Sequence, residues 1–373
     1  MTPETVFVAG ATGLVGKPLI HRLVDRGHHV RALVRNDPSA TAVLAMGAEP
    51  VLGDLGTPGP WQDHLGDCTS VVDASQARPR GRLTARRAVA AGRDRVRFTQ
   101  NLFTAIQSGH SPLGSYVWLT GLDELVPSAD RFVDETSPIT IRPRGFGRIG
   151  SQIRPVVEAA HHSWGLPLVS LHMGLIYGSE GWFPDYLRRI QRRRFALVGN
   201  GQNFVSLVSV HDVARAIVAA IERKPAGRRF IVADDEPVRQ ADFVTFLAEG
   251  LDVPVPHRKV PLWLAGLVVG RAAAETAAAD VRAGNERMKI DLDVKLEFPT
   301  YREGVPPLVA EYLASSRASS PPGDEPEGTV EGSRGGDAPP ASHRHLAPTW
   351  GASEPRGYKR TLLTEPPLKS FPG

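Results

Sequence analysis

The chain predicts a doubly wound, parallel α/β sheet with a smaller C-terminal portion and a disordered tail. Three observations carry that prediction. An apolar run, Val6 to Ala9, is broken by glycines at positions 10, 13 and 16 and then followed by a helical pattern. Short apolar runs and helical stretches continue to alternate after it, the pattern of parallel strands joined by crossover helices. From Ala314 the composition turns to Pro, Gly, Ser, Glu and Arg, with few aliphatic residues.

The first run reads as a buried strand, and Val15, Leu19, Ile20, Leu23 and Val24 put an apolar face on the helix behind it. Strand, glycine turn and helix in that order is the setting that holds a dinucleotide. Gly10 permits the tight turn. Gly13 has no side chain, so a pyrophosphate can approach the backbone, and Gly16 lets the helix pack close to the strand. Thr12, Leu14 and Val15 complete the cradle between them. The free N–H groups at the helix start face the anion, helped by the helix dipole.

The second strand reads His29 to Arg35. Its end meets the adenine ribose in a dinucleotide fold, where a carboxylate would accept from the 2′-hydroxyl and select NAD. This chain has Val34 and Arg35 there, and a guanidinium suits a 2′-phosphate. NADP is therefore the expected cofactor, with NAD as the alternative. Pro50 to Leu55 reads as the third strand; Asp54 either accepts from the adenine amino group or caps its own turn, with Leu55 beside it. Ser70 to Ser75 reads as the fourth, its small Ala74 and Ser75 leaving room for ribose and pyrophosphate. Gln76 to Gly92, rich in arginine, reads as an irregular solvated loop, or alternatively as a clamp for an anionic substrate. Val96 to Ser108 has helical periodicity, and Ser115 to Thr120 reads as the fifth strand.

Composition bounds the rest. The 373 residues are 41% hydrophobic and 23% charged, ordinary for a globular protein, and the net charge of +4 suits a phosphorylated ligand without demanding nucleic acid. One cysteine, Cys68, permits no intrachain disulfide. Met1 to Thr5 lead directly into the first strand, without a signal peptide, and Leu262 to Gly270 is too short to span a bilayer. A soluble cytoplasmic protein with no membrane partner is expected.

Further motifs follow in a definite order. Asn101-Leu102 lies in a helix and Trp118-Leu119-Thr120 in a strand; Gly165-Leu166-Pro167, Tyr177-Gly178, Val210-His211-Asp212-Val213-Ala214 and Phe298 to Gly304 come after them. With the glycine spacing, these resemble the extended short-chain dehydrogenase/reductase family, of the NAD-dependent epimerase/dehydratase type, over residues 5 to 313. The resemblance implies a Rossmann domain, with the substrate-binding portion mainly from about 175–205 and 235–313. A homodimer is common in that family, although no spacing in this chain demonstrates one. It also implies a tyrosine that exchanges the proton, a lysine four residues on that lowers the tyrosine pKa, and a helping serine or threonine. Here the chain departs from the family. Phe146 falls at the tyrosine position and Gly150 at the lysine position; no tyrosine lies between Tyr116 and Tyr177. Thr120 is the hydroxyl nearest the family's serine. Arg95 stands where an asparagine is usual, and His172-Met173 where arginine-proline is usual.

The catalytic candidates are therefore Thr120, His172 and Tyr177. His172, at the end of a strand from Leu168 to Leu171, titrates near neutrality and could replace the missing acid, or it could simply bond to backbone. Tyr177 reads chiefly as packing. His161-His162 has no ligand partner at useful spacing, so no metal is assigned. Asp212 reads as a helix N-cap. Arg188, Arg189 and Arg192 to Arg194 read as a solvated face, with too little aromatic interleaving for nucleic acid. The tail from 314 to 373 cannot bury enough apolar surface to order itself, and its Trp350, Tyr358 and Leu362-Leu363 form a conceivable docking motif. The resulting expectation is an NADP-binding oxidoreductase acting on a carbonyl or carbinol of a small molecule, with a non-standard proton donor. Two alternatives stand beside it: an NADP-binding sensor or scaffold without turnover, and a non-redox cyclase or dehydratase on the same scaffold.

Overall fold

The computed structural model describes residues 2–77 and 81–318. Its centre is a sheet of seven strands: β1 (Thr5–Ala9), β2 (His29–Val34), β3 (Glu49–Leu52), β4 (Ser70–Asp73), β5 (Ser115–Gly121), β6 (Leu168–Met173) and β7 (Arg228–Val232). Their order across the sheet is β7-β6-β5-β4-β1-β2-β3, and every pairing is parallel. The order reverses beside β1, between β2 and β4. Crevices past the carboxyl ends of strands at such a reversal are where doubly wound sheets take ligands.

Helices cover both faces, which is why the strands are apolar on both sides rather than alternating. On one face α1 (Gly16–Asp25) and α6 (Val210–Arg223) pack against Val6, Val8, Val117 and Val169; on the other, α3 (Ala85–Ser108) and α4 (Gly147–Trp164) cover Phe7, Val71, Tyr116 and Trp118. The two helices of the second face approach closely because Gly92 lies against Gln152: a Cβ there would sit 2.6 Å from its Cγ. A separate apolar cluster forms among residues 177–313. Tyr177, Phe183, Leu187, Phe243, Leu247, Tyr301 and Val305 are buried in it.

Three readings of the sequence need correction. The arginine-rich stretch 76–92 is not loop throughout: Thr84 accepts from the Arg87 N–H and starts a helix at Ala85, so the side-chain cap supplies the order that charge composition concealed. Residues 78–80 of that stretch lie outside the described residues. Asp212 is not an N-cap; Ser209 caps α6, and Asp212, one turn in, accepts the backbone N–H groups of Glu297 and Phe298 at 2.6 and 3.1 Å. The tail does not begin at Ala314, because the last helix runs Tyr301–Ala318. Trp350, Tyr358 and Leu362-Leu363 fall outside the described residues.

Candidate active site

The crevice at the ends of β1 and β4 is built almost wholly from backbone. Gly10 has φ +89°, and a Cβ on it would stand 2.6 Å from the Ala74 carbonyl oxygen and 2.8 Å from the Ser75 nitrogen. A Cβ on Gly16 would overlap the carbonyl oxygens of Gly10 and Ala11. The turn closes with the Gly13 N–H donating to the Gly10 carbonyl at 3.0 Å. Helix α1 then begins with no side-chain cap and no acidic residue in its first turn; the Lys17 N–H donates to the Gly13 carbonyl at 3.3 Å and Pro18 has none to give, so the Leu14, Val15 and Gly16 N–H groups are those left for a ligand among the described residues. Beyond its two chain neighbours, a Cβ added at Gly13 would have only the Gly10 oxygen within 4 Å among the described residues. The glycine turn thus fits a pyrophosphate: it is narrow where side chains are excluded and open where an anion would lie. Thr12 is exposed at its rim, Val15 is half-buried, and Leu14 reaches Gly178 and Gly181 across the crevice.

Arg35 and Asp54 stand at neighbouring strand ends, since β2 and β3 pair Val34 with Leu52. Arg35 is exposed and has no ion-pair partner among the described residues. Asp54 Oδ1 accepts the Gly56 N–H at 2.7 Å, the turn-capping arrangement, and Leu55 is buried beneath it.

Beneath Ser75 lies a network the sequence did not reveal. Asp73 is fully buried; Arg95 from α3 pairs with it at 2.9 Å, Ser75 donates to it at 2.8 Å and the Tyr116 hydroxyl at 3.1 Å. Burial alone would raise the Asp73 pKa, but the Arg95 charge and the hydrogen bonds outweigh it and hold the carboxylate ionised below its usual range. Arg95 is therefore a buried counter-ion that fixes the floor of the crevice at Ser75.

Past the end of β5, Phe146 and Gly150 lie at the start of α4. Phe146, the N-cap residue of α4, is 48% exposed and gives its N–H to Thr276 Oγ1 at 3.0 Å. Gly150 lies one turn further, and the space beside it is filled by Glu124: a Cβ at 150 would fall on Glu124 Oε1 and 2.7 Å from Thr120 Oγ1. Thr120 Oγ1 donates to Glu124 Oε1 at 2.7 Å, and Arg154 Nε donates to Oε2 at 3.2 Å. Glu124 is 1% exposed, and burial pushes its pKa up to about 7 despite those bonds. Its neighbour Asp123 accepts the Gly147 N–H at 2.6 Å at the start of α4, and burial raises it to about 6.

The other two candidates stand apart from this group. His172 pairs in register with Thr120 but is 2% exposed, with Nδ1 3.4 Å from the Gly121 carbonyl; burial and then the Arg229 charge bring it down to about 4, so the ring is neutral at physiological pH. The backbone-bonded alternative is the one observed. Tyr177 ends a short strand, Leu175–Tyr177, in the second apolar cluster, with its hydroxyl against Gly304 and without a hydrogen-bond partner in the described residues. Burial raises its pKa far out of working range. Sequence reasoning missed Glu124 and Asp123. The available signal was a pair of acids three and four residues beyond Thr120, at the end of a strand rather than in a polar loop.

No group of three metal-ligating side chains occurs among the described residues, and no helix there is long and apolar enough to cross a membrane.

Comparison with known proteins adds an independent line. The model of the NAD dependent epimerase/dehydratase family matches residues 6–233. A 3-diazoavenalumate denitrifying reductase from Streptomyces sp is 31% identical over 322 residues, covering 80% of this chain and 98% of the relative. A 4-hydroxy-2-methyl-3-oxo-4-farnesyl-3,4-dihydroquinoline-1-oxide ketoreductase from Stigmatella aurantiaca is 29% identical over 285 residues, covering 74% of this chain and 80% of the relative. Among solved structures, the human epimerase family protein SDR39U1 with NADPH superposes with a TM-score of 0.66 at 20% identity, covering 82% of this chain and 99% of that one, a likeness of fold.

Proposed function

We propose that this chain, which belongs to the NAD-dependent epimerase/dehydratase family, is an NADP-dependent reductase acting on a carbonyl group of a small molecule. The observation that carries the reading is the glycine turn at the end of β1, where any side chain on Gly10 or Gly16 would strike backbone. Two relatives named as reductases, matched over most of their length, support a redox reaction.

In this reading Gly10, Thr12, Gly13, Leu14, Val15 and Gly16 hold the pyrophosphate at the start of α1. Arg35 takes the 2′-phosphate, Asp54 and Leu55 border the adenine, and Ala74 and Ser75 border the ribose. The bound nicotinamide supplies hydride. The chain supplies orientation, exclusion of water and a proton for the developing alkoxide. The apolar cluster of residues 177–313 supplies the substrate-binding portion, mainly from 175–205 and 235–313, and residues 1–313 act as one nucleotide-binding unit with it.

The test is direct. The full chain is titrated with NADPH and with NADH while cofactor fluorescence is followed, and a panel of ketones is then screened for NADPH oxidation. Tight NADPH binding with turnover of a ketone is expected. Failure to bind either nucleotide overturns the reading. Binding with no turnover anywhere in the panel favours a sensor, for which the loss of tyrosine and lysine at 146 and 150 is the motivating observation. Product formation without net cofactor consumption favours the cyclase or dehydratase.

A further inference from the structure

We propose that Thr120 and Glu124, steadied by Arg154, supply the proton that the absent tyrosine and lysine would have managed: Thr120 gives its hydroxyl proton to the substrate oxygen while Glu124 replaces it. The proposal rests on the reductase reading above. Thr120 is the catalytic residue of the pair and Glu124 acts through it.

The geometry argues for a replacement rather than a loss. Gly150 is where a lysine would project, and Glu124 Oε1 occupies the point where any side chain at 150 would begin. A carboxyl at 124 in this position and a lysine at 150 exclude each other, so the glycine is what admits the acid. The acid is aimed: its Oε1 is 2.7 Å from the Thr120 hydroxyl, and the other oxygen takes the Arg154 Nε–H at 3.2 Å. The Thr120 contact fits a hydroxyl donating to a carboxylate and equally a carboxylic acid donating to a hydroxyl, which is what a relay needs. Thr120 is half-buried, on the next-to-last residue of β5, so its hydroxyl borders the ligand-binding end of the sheet while Glu124 is sealed behind it.

The step balances. The carbonyl carbon accepts hydride from the reduced nicotinamide. The carbonyl π pair becomes an O–H bond with the Thr120 proton, the broken Thr120 O–H bond is remade with the Glu124 proton, and Glu124 is left as a carboxylate. Arg154 then makes that buried anion tolerable. After the alcohol leaves, a water proton returns by the same route through Thr120. The charged and titratable groups facing Glu124 are Arg154 from α4, which favours the anion, and Asp123, which disfavours it. The neutral His172 lies across the strand pair with no charge to add.

The alternative is a permanent Glu124–Arg154 ion pair that merely fastens α4 to β5. Carbon-13 NMR of glutamate-labelled full chain, without cofactor, separates the two. Between about pH 5 and about pH 9 one carboxyl carbon should titrate near neutrality and be missing in Glu124→Gln. Gly150→Ala adds only a methyl group, favours helix, and forces the carboxyl off Thr120; Thr120→Val removes the hydroxyl. Each should move the midpoint by about one unit or more. A carboxyl ionised throughout, or one that titrates but is unmoved by both variants, overturns the relay. With a ketone substrate, Glu124→Gln should lose at least about 100-fold in kcat and also the fall in rate above neutral pH, with Glu124→Asp restoring part of both. An unchanged pH profile in Glu124→Gln also overturns it. NADPH binding should be the same in Glu124→Gln and the parent chain; if the parent binds no nucleotide, the reductase reading fails while the titration still decides whether the pair exchanges a proton.

Discussion

The two ends of the crevice are made of different materials. At the end of β1 the fit is all backbone: Gly10 against Ala74 and Ser75, Gly16 against Gly10 and Ala11. At the end of β5 it is all side chain: Thr120, Glu124 and Arg154 meeting over Gly150. A backbone contact has one solution, because any Cβ breaks it. A proton can be delivered by any acid of suitable strength that reaches the right atom. The first end therefore admits only glycine at positions 10 and 16, while the second can be assembled from more than one set of side chains.

The comparison can be broken most severely at its rigid end. Gly16→Val should cost about 3 kcal/mol of stability, measured by denaturant unfolding, and abolish detectable NADPH binding. Retained binding would mean that the α1 entry is not the cradle. A smaller effect is expected from Arg35→Asp, which should weaken NADPH by about 10- to 100-fold by losing charge-assisted hydrogen bonds, with NADH little changed in the same fluorescence titration. Equal loss for both nucleotides would remove Arg35 from the cofactor choice.

A further prediction concerns the support of the side-chain end. Glu275 on α9 (Arg271–Ala277) takes the Gly145 N–H at 3.0 Å and pairs with Arg148 and Arg271, pinning the start of α4. Burial would raise its pKa, but the Arg148 and Gly145 hydrogen bonds prevail and lower it to about 2. A carboxylate whose folded value lies below its unfolded one adds stability above its unfolded pKa and loses it as pH falls through the folded one. Glu275→Gln should therefore lower Tm by several degrees at pH 7, with the gap closing between about pH 4.5 and about pH 2. A gap independent of pH would mean the charge does not matter. The smallest effect on chemistry is expected from His172→Asn: its ring is neutral and bonded to backbone, so kcat should fall less than about tenfold and its pH profile should not move. A shifted profile would return His172 to the list of proton donors.

How much of this was legible follows the same division. The glycine cradle could be read directly because backbone constraints leave one residue type behind. The succession of the first five strands along the chain, and their parallel arrangement, followed from the alternation of apolar runs with helical stretches. The start of α3 was hidden because a single Thr84 hydroxyl, rather than composition, begins it. The Asp73–Arg95 pair joins residues 22 positions apart, and neither looks buried when read alone. Glu124 was concealed for the same reason. Its partner Arg154 lies 30 residues on, and Gly150 reads as a missing lysine until the occupant of its space is seen.

Asp212 carries one last consequence. Its carboxylate grips two main-chain hydrogens, those of Glu297 and Phe298, 85 and 86 residues downstream. The clasp itself asks nothing of the Phe298 side chain, whose ring separately meets His211 of α6 at 6.1 Å between centroids, so exchanging that ring would leave both main-chain hydrogen bonds in place. Proline is the exception: having no hydrogen to offer, it would unbutton the clasp at 298 while leaving every acidic and basic residue of the chain in place.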